Sequence, residues 1–122
     1  MLYECLIVGL GGFIGSIFRY LMGLIPINET GAFPFNTFFI NIIGALVISF
    51  FAFYITKENP IDSNLILFIK VGICGGFTTF STFALETGDL IKNGNTTIAL
   101  IYALLSVIVC VFVMFLPDLL IE

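Results

Sequence analysis

No histidine and no tryptophan occur in this chain of 122 residues, and lysine and arginine together number only 4. The missing histidines remove the commonest general base and metal ligand, so hydrolytic or metal-dependent chemistry is not expected and the chain is not read as an enzyme. Asp and Glu number 8, and the resulting net charge of −4 offers no basic surface for nucleic acid. The three cysteines, Cys5, Cys74 and Cys110, stand in apolar surroundings without metal-ligand spacing and read as small buried thiols. Charged residues make up 10% of the chain against 60% hydrophobic ones, with a mean hydropathy of +1.20. Such a chain belongs in a lipid bilayer. Its length allows about four crossings of about 20 residues each, which leaves almost nothing for a soluble domain. The reading is an all-α, multi-pass membrane protein, with residues 1–122 as a single domain of four transmembrane helices.

The N-terminus lacks a basic segment and a small-residue cleavage site, so the first apolar run reads as a retained span rather than a signal peptide. It extends roughly from Glu4 to Ile25 and ends at the turn Pro26-Ile27-Asn28-Glu29-Thr30-Gly31. Gly9, Gly11, Gly12 and Gly15 give it a face on which another helix backbone can come close. The second span, about Phe35 to Ile55, has no charge but carries Asn36, Thr37, Asn41 and Ser49. After the loop at residues 56–62, Asp62 or Ser63 can cap a third span that reaches about Leu90. Lys92-Asn93-Gly94-Asn95 is the next turn, and the fourth span, about Thr96 to Phe115, closes before Pro117.

The third span is unlike the others. Gly72-Ile73-Cys74-Gly75-Gly76-Phe77-Thr78-Thr79-Phe80-Ser81-Thr82-Phe83 places glycines and hydroxyls in the middle of a hydrophobic stretch. Glycine and threonine weaken a helix, and hydroxyls can bond the backbone groups that a break sets free. Irregular backbone at bilayer depth is tolerated only where protein, water or an ion satisfies it, so a helix broken at its centre points to an ion site or a permeation path.

Four crossings place both termini on one side of the membrane. Lys57 and Lys70 then lie toward that side, and Arg19 and Lys92 toward the other. Orientation follows the lysine and arginine count near the span ends, and here the count is balanced. The chain is therefore expected to insert both ways and to pair with an inverted copy of itself.

Three segments together, Gly11-Gly12-Phe13-Ile14-Gly15-Ser16-Ile17-Phe18-Arg19-Tyr20, then Thr37 with Asn41-Ile42-Ile43-Gly44, then Gly75 to Phe83 with Glu86, resemble the Fluc (CrcB) fluoride channels over essentially the whole chain. The third segment is the specific one. The resemblance implies a passive fluoride channel of the prokaryotic plasma membrane, built as an antiparallel, dual-topology homodimer with two fluoride pores and a structural sodium ion at its centre. It places Phe80 and Phe83 in the pore, and puts Asn41, Thr37, Ser81 and Thr82 on the fluoride route. Tyr102, Ser106 and Cys110, spaced four residues apart, form a mildly polar stripe on the fourth span that matches a polar track of the family. Cys110 is the weak member, because a thiol donates poorly. Gly75 and Thr78 would offer backbone carbonyls to sodium, and Arg19 would be a vestibule cation. Lys70 reads as a snorkelling surface lysine, and Glu86 as a carboxylate with a structural or gating part. One departure is Asn36, where the family usually has glycine before the threonine.

These residue types suit the task. A small bare anion in an apolar medium is costly unless the pore replaces its water with donors. Amide and hydroxyl groups donate, and the edges of phenylalanine rings carry partial positive charge. The competing class is a small dual-topology exporter of organic cations, which needs a carboxylate near the middle of the first span. Only Glu4 is present there, at the edge, and no tryptophan is available to stack a flat cation. A non-transporting packing subunit would account for the glycines but not for the Asn, Thr and Phe string.

Overall fold

Apolar runs of this length form helices because a bilayer leaves backbone groups no partner but one another. The computed structural model describes residues 1–27, 31–57 and 61–121, and the expected turns at residues 28–30 and 58–60 lie outside the described residues. Helix α1 is Leu2–Gly23, α2 is Phe35–Lys57 and α6 is Thr96–Val113. Between α2 and α6 the third span is built in pieces: α3 (Ser63–Ile66), a π-helical segment (Leu67–Cys74), α4 (Gly75–Phe77) and α5 (Phe80–Lys92). Four stretches are long and apolar enough to cross a membrane, namely Leu2–Gly23, Phe35–Thr56, Ser63–Lys92 and Thr96–Val113. Large apolar side chains such as Leu6, Phe13, Leu104 and Ile108 lie exposed along them, as helices facing lipid require.

The tightest packing in the molecule is between α1 and the third span. A Cβ on Gly11 would collide with the Phe68 carbonyl oxygen and stand 2.8 Å from the Gly72 Cα, and one on Gly76 would stand 2.7 Å from the Gly12 carbonyl oxygen. A Cβ on Gly15 would run into the Ile73 carbonyl oxygen. Two backbones thus touch directly, through Gly11, Gly12 and Gly15 but not Gly9, whose Cβ position is open. On the far side, α2 packs on α6, and the Ser49 hydroxyl donates to the Val113 carbonyl at 3.0 Å. That bond occupies one of the carbonyls left over at the end of α6.

The remaining differences from the expected spans are local. The second span runs two residues past Ile55, and the third continues to Lys92. Asp62, rather than Ser63, caps α3 by accepting from the Asn64 N–H at 3.0 Å. The fourth span ends at Val113, and Pro117 then sits in the first turn of a further short helix, α7 (Leu116–Leu120), where its missing N–H costs nothing. Pro117 is fully buried, so it closes the bundle as well as ending the span.

Candidate functional site

At the centre of the third span the helix opens. Thr78 and Thr79 are extended, with φ and ψ of −80° and 159° and of −149° and 119°, and α5 begins afresh at Phe80. Several of the backbone groups released there can be followed to new partners. The Thr79 N–H, which would otherwise donate to Gly75, donates to Asn41 Oδ1 at 2.8 Å, and the Asn41 Nδ2 amide donates to the Thr79 carbonyl at 3.1 Å. The Thr82 N–H donates to the Thr79 hydroxyl oxygen at 3.1 Å, a side-chain cap for α5. The Gly76 carbonyl accepts from Arg19 Nε at 3.1 Å. Gly75 and Thr78 are left with carbonyls whose helical donors have gone elsewhere. Gly75 is exposed, with open space where a Cβ would stand.

Two cavities flank the break. One is a basin of about 410 Å³ lined by Arg19, Asn36, Thr37, Thr82 and Glu86 among others, on the side of the membrane where α1 ends. The other is a groove of about 440 Å³ that runs from Asn41, Phe80 and Phe83 past Ser106 and Cys110 toward Lys70 and Met114. Thr79 lines both. The residue that interrupts the helix therefore stands in the walls of both cavities.

Glu86 organises the basin. Its Oε2 accepts from the Thr37 hydroxyl at 3.0 Å and its Oε1 from the Tyr102 hydroxyl at 2.8 Å, so α2, α5 and α6 converge on one carboxylate. Both donors are buried, Tyr102 completely. Asn36 reaches back from the start of α2 to the end of α1, donating to the Ile25 carbonyl at 2.7 Å and the Met22 carbonyl at 3.0 Å. Glycine in its place would have no side chain with which to tie these helix ends together.

In the groove, the Phe80 and Phe83 rings lie 5.5 Å apart at 48°, and the Phe83 and Tyr102 rings 5.1 Å apart at 54°. Phe80 is 78% exposed, whereas Phe83 is half-buried against α6. Ser106 is buried, and its hydroxyl has no partner among the described residues. A buried donor in that condition carries an energetic cost of about 1–3 kcal/mol until something accepts from it.

Most of the residues expected at the site line one of the two cavities, in divided roles. Asn41, Phe80, Phe83 and Ser106 line the groove; Arg19, Thr37 and Thr82 line the basin. Ser81 is exposed and lines neither cavity, and its hydroxyl lies 3.3 Å from that of Thr79. Tyr102 likewise lines neither, because its hydroxyl is turned to Glu86. Thr37 is committed to the same carboxylate, and one donor of Asn41 to the helix break. Arg19 bonds Gly76 at the basin wall rather than running free to the interface. Thr78 turns its hydroxyl to the Cys74 carbonyl at 2.9 Å. Glu86 has a structural part of the kind expected, while Lys70, expected only to snorkel, lines the groove. The one available signal for Glu86 was a carboxylate in an apolar span with hydroxyls on the neighbouring spans.

A family model described as CrcB-like protein, Camphor Resistance (CrcB), matches residues 6–117. A protein of Clostridium perfringens (strain 13 / Type A) named fluoride-specific ion channel FluC is 46% identical over 100 residues, covering 81% of this chain and 78% of its own length. A protein of the same name from Methanocaldococcus jannaschii is 39% identical over 116 residues, 94% of this chain and 91% of its own. A third, from Methylobacterium radiotolerans, is 34% identical over 110 residues, 88% of this chain and 77% of its own.

Proposed function

The chain belongs to the CrcB-like family, and from that premise we propose that it is a passive, fluoride-selective channel through which fluoride leaves the cytoplasm of a prokaryotic cell. The observation that carries the reading is that Thr79, at the break of a membrane helix, lines two cavities, one on each side of the break. Hydrogen fluoride crosses a membrane when neutral and ionises in a near-neutral cytoplasm, which traps fluoride. With the interior negative, the membrane potential drives an anion outward by about 2.3 kcal/mol per charge per 100 mV, so an open selective path suffices and no pump is needed.

The basin offers an approaching anion the Arg19 cation. Beyond it the N-terminus of α5 faces the break, and first-turn N–H groups have no intrahelical acceptors and favour negative charge. In the groove the available partners are the second N–H of Asn41, the edges of Phe80 and Phe83, and the orphaned Ser106 hydroxyl. Several weak partners in succession, rather than one strong one, let an ion leave as readily as it enters.

The reading extends to an inverted, identical second subunit. It is supported by the balanced charge tally and by the open flank of the groove, where Phe80 and Gly75 are exposed. Gly75 and Thr78 carry carbonyls released from helical bonding, the donor type a hard cation such as sodium takes. Two carbonyls are few for such an ion, and the same pair from a second subunit would complete the set. Sodium held there would supply fixed positive charge between the two pores.

The test is efflux from liposomes containing the purified protein, with fluoride, chloride and ethidium measured side by side. The expected result is rapid fluoride efflux with little movement of the other two. Absence of fluoride efflux, or chloride efflux at the same rate, overturns the reading.

A further inference from the structure

Resting on that reading, we infer that Lys70 is a second anion-attracting cation, placed at the opposite end of the fluoride path from Arg19. Lys70 lies in the π-helical segment and lines the groove with Cys74 and Thr78, which follow it at intervals of four residues, while Gly72 and Gly76 of the same span are pressed against α1. The groove contains no other ionisable Lys, Arg, Asp or Glu. Among the described residues the only ion pair joins the N-terminus to Glu4, so Lys70 is not engaged by a carboxylate there.

Its place along the membrane follows from the chain direction. The third span starts at Ser63 on the side where α6 ends, and Lys70 shares the groove wall with Val111 and Met114 at that end of α6. Arg19 stands near the far end of α1 and bonds Gly76, beyond Lys70 along the third span. One cation therefore flanks each cavity, and Thr79 lies between them. The groove has particular need of one. Past Ser106 its α6 wall offers only the weak Cys110 donor and then the apolar Val111 and Met114, so hydroxyls do not continue the polar track outward. A mobile ammonium on a long stem can raise the local anion concentration there without binding the ion at a fixed point.

The experiment compares fluoride efflux through the wild-type protein and the Lys70→Arg, Lys70→Gln and Lys70→Glu variants, at low ionic strength and at 1 M of an impermeant organic salt. Electrostatic enrichment is screened when the Debye length falls to about 3 Å at 1 M. At low salt, Lys70→Gln is expected to lower the flux by about threefold or more, Lys70→Glu further, and Lys70→Arg to retain it. At high salt the four proteins should converge. A lysine that only reaches for the interface would give Lys70→Gln a flux equal to wild type at low salt, and that result overturns the inference. So does a deficit that salt leaves unchanged, or an arginine variant as poor as the glutamine one. Loss of fluoride flux in the wild-type protein would instead overturn the channel reading, and this inference with it.

Discussion

Asn41 and Thr79 exchange two hydrogen bonds, the side-chain oxygen accepting from the Thr79 N–H at 2.8 Å and the side-chain amide donating to the Thr79 carbonyl at 3.1 Å. One side chain thereby substitutes for both halves of a peptide neighbour and holds the third span open at membrane depth. Its remaining N–H faces the question of transport, and the rest of the group answers a question of folding. Asn41→Asp keeps the acceptor but places a second oxygen against the Thr79 carbonyl, and adds negative charge beside an anion path. Fluoride efflux should fall by tenfold or more, corresponding to at least about 1.4 kcal/mol, with a lowered thermal midpoint in detergent. A variant with wild-type flux, an ionised aspartate and an unchanged thermal midpoint would remove Asn41 from both roles.

Phe80 and Phe83 separate function from stability. Ile in place of either keeps an apolar group but loses the positive ring edge, so fluoride efflux should drop strongly in both variants. Phe80 is 78% exposed, so losing its 5.5 Å ring contact with Phe83 should lower the midpoint of unfolding only slightly. Phe83 packs on Tyr102 at 5.1 Å, and Phe83→Ile should also destabilise by roughly 0.5–1.5 kcal/mol, as lost aromatic pairs do. Equal stabilities with undiminished flux in both would sink the ring-edge account.

Glu86 accepts from two buried hydroxyls, and the consequence of removing it depends on what replaces it. Glu86→Ala orphans both the Thr37 and the Tyr102 hydroxyls, at roughly 1–3 kcal/mol each. Glu86→Gln retains one acceptor oxygen, and a hydroxyl can turn to accept from its amide. The alanine variant should therefore melt well below the glutamine variant. If combining Glu86→Ala with Tyr102→Phe restores part of the loss, the orphaned phenol is the cause.

Much of this arrangement was legible in the residue pattern, and its limits are physical. The four spans, the broken third helix and the contact face of Gly11, Gly12 and Gly15 follow from hydropathy, from helix-breaking residues and from helical spacing. Gly9 shares that spacing yet touches nothing, because spacing defines a face and not where the partner helix crosses it. The π-helical turn at Leu67–Cys74 left no mark in residue type, since its apolar sequence would suit an ordinary helix equally well. Asn41 and Thr37 were identifiable as polar groups in an apolar span. Which partner each would choose was not, because Glu86 lies 49 residues from Thr37 in the chain and the choice belongs to tertiary structure.

The glycines of that contact allow a direct comparison. In Gly72→Ala the new Cβ would lie 2.8 Å from the Gly11 Cα, with backbone on both sides and nothing flexible to move aside. The expected cost is about 1–3 kcal/mol or more, as for overpacked cores, with reduced yield of folded protein. Gly9→Ala meets open space and should be neutral or slightly stabilising, since alanine favours the helix. A thermal midpoint for Gly72→Ala at or above that of Gly9→Ala would mean that the two backbones do not touch.

Topology can be tested through charge alone, without touching the pore. By the sequence tally Lys57 and Lys70 balance Arg19 and Lys92 across the membrane, and on the proposed reading the chain inserts both ways. Adding two lysines within residues 58–62 should hold that loop in the cytoplasm and fix one orientation. Adding two at Asn93 and Asn95 should fix the other. If the working unit joins two inverted copies, each biased variant alone lacks a mate, and fluoride resistance of the host should fall in both cases. Co-expression of the two variants should restore it, because each then supplies the partner the other needs. Cysteine labelling from one side of the membrane verifies the orientations independently of transport. A variant that labels from a single side yet conducts fluoride fully on its own would show that an inverted partner is not required.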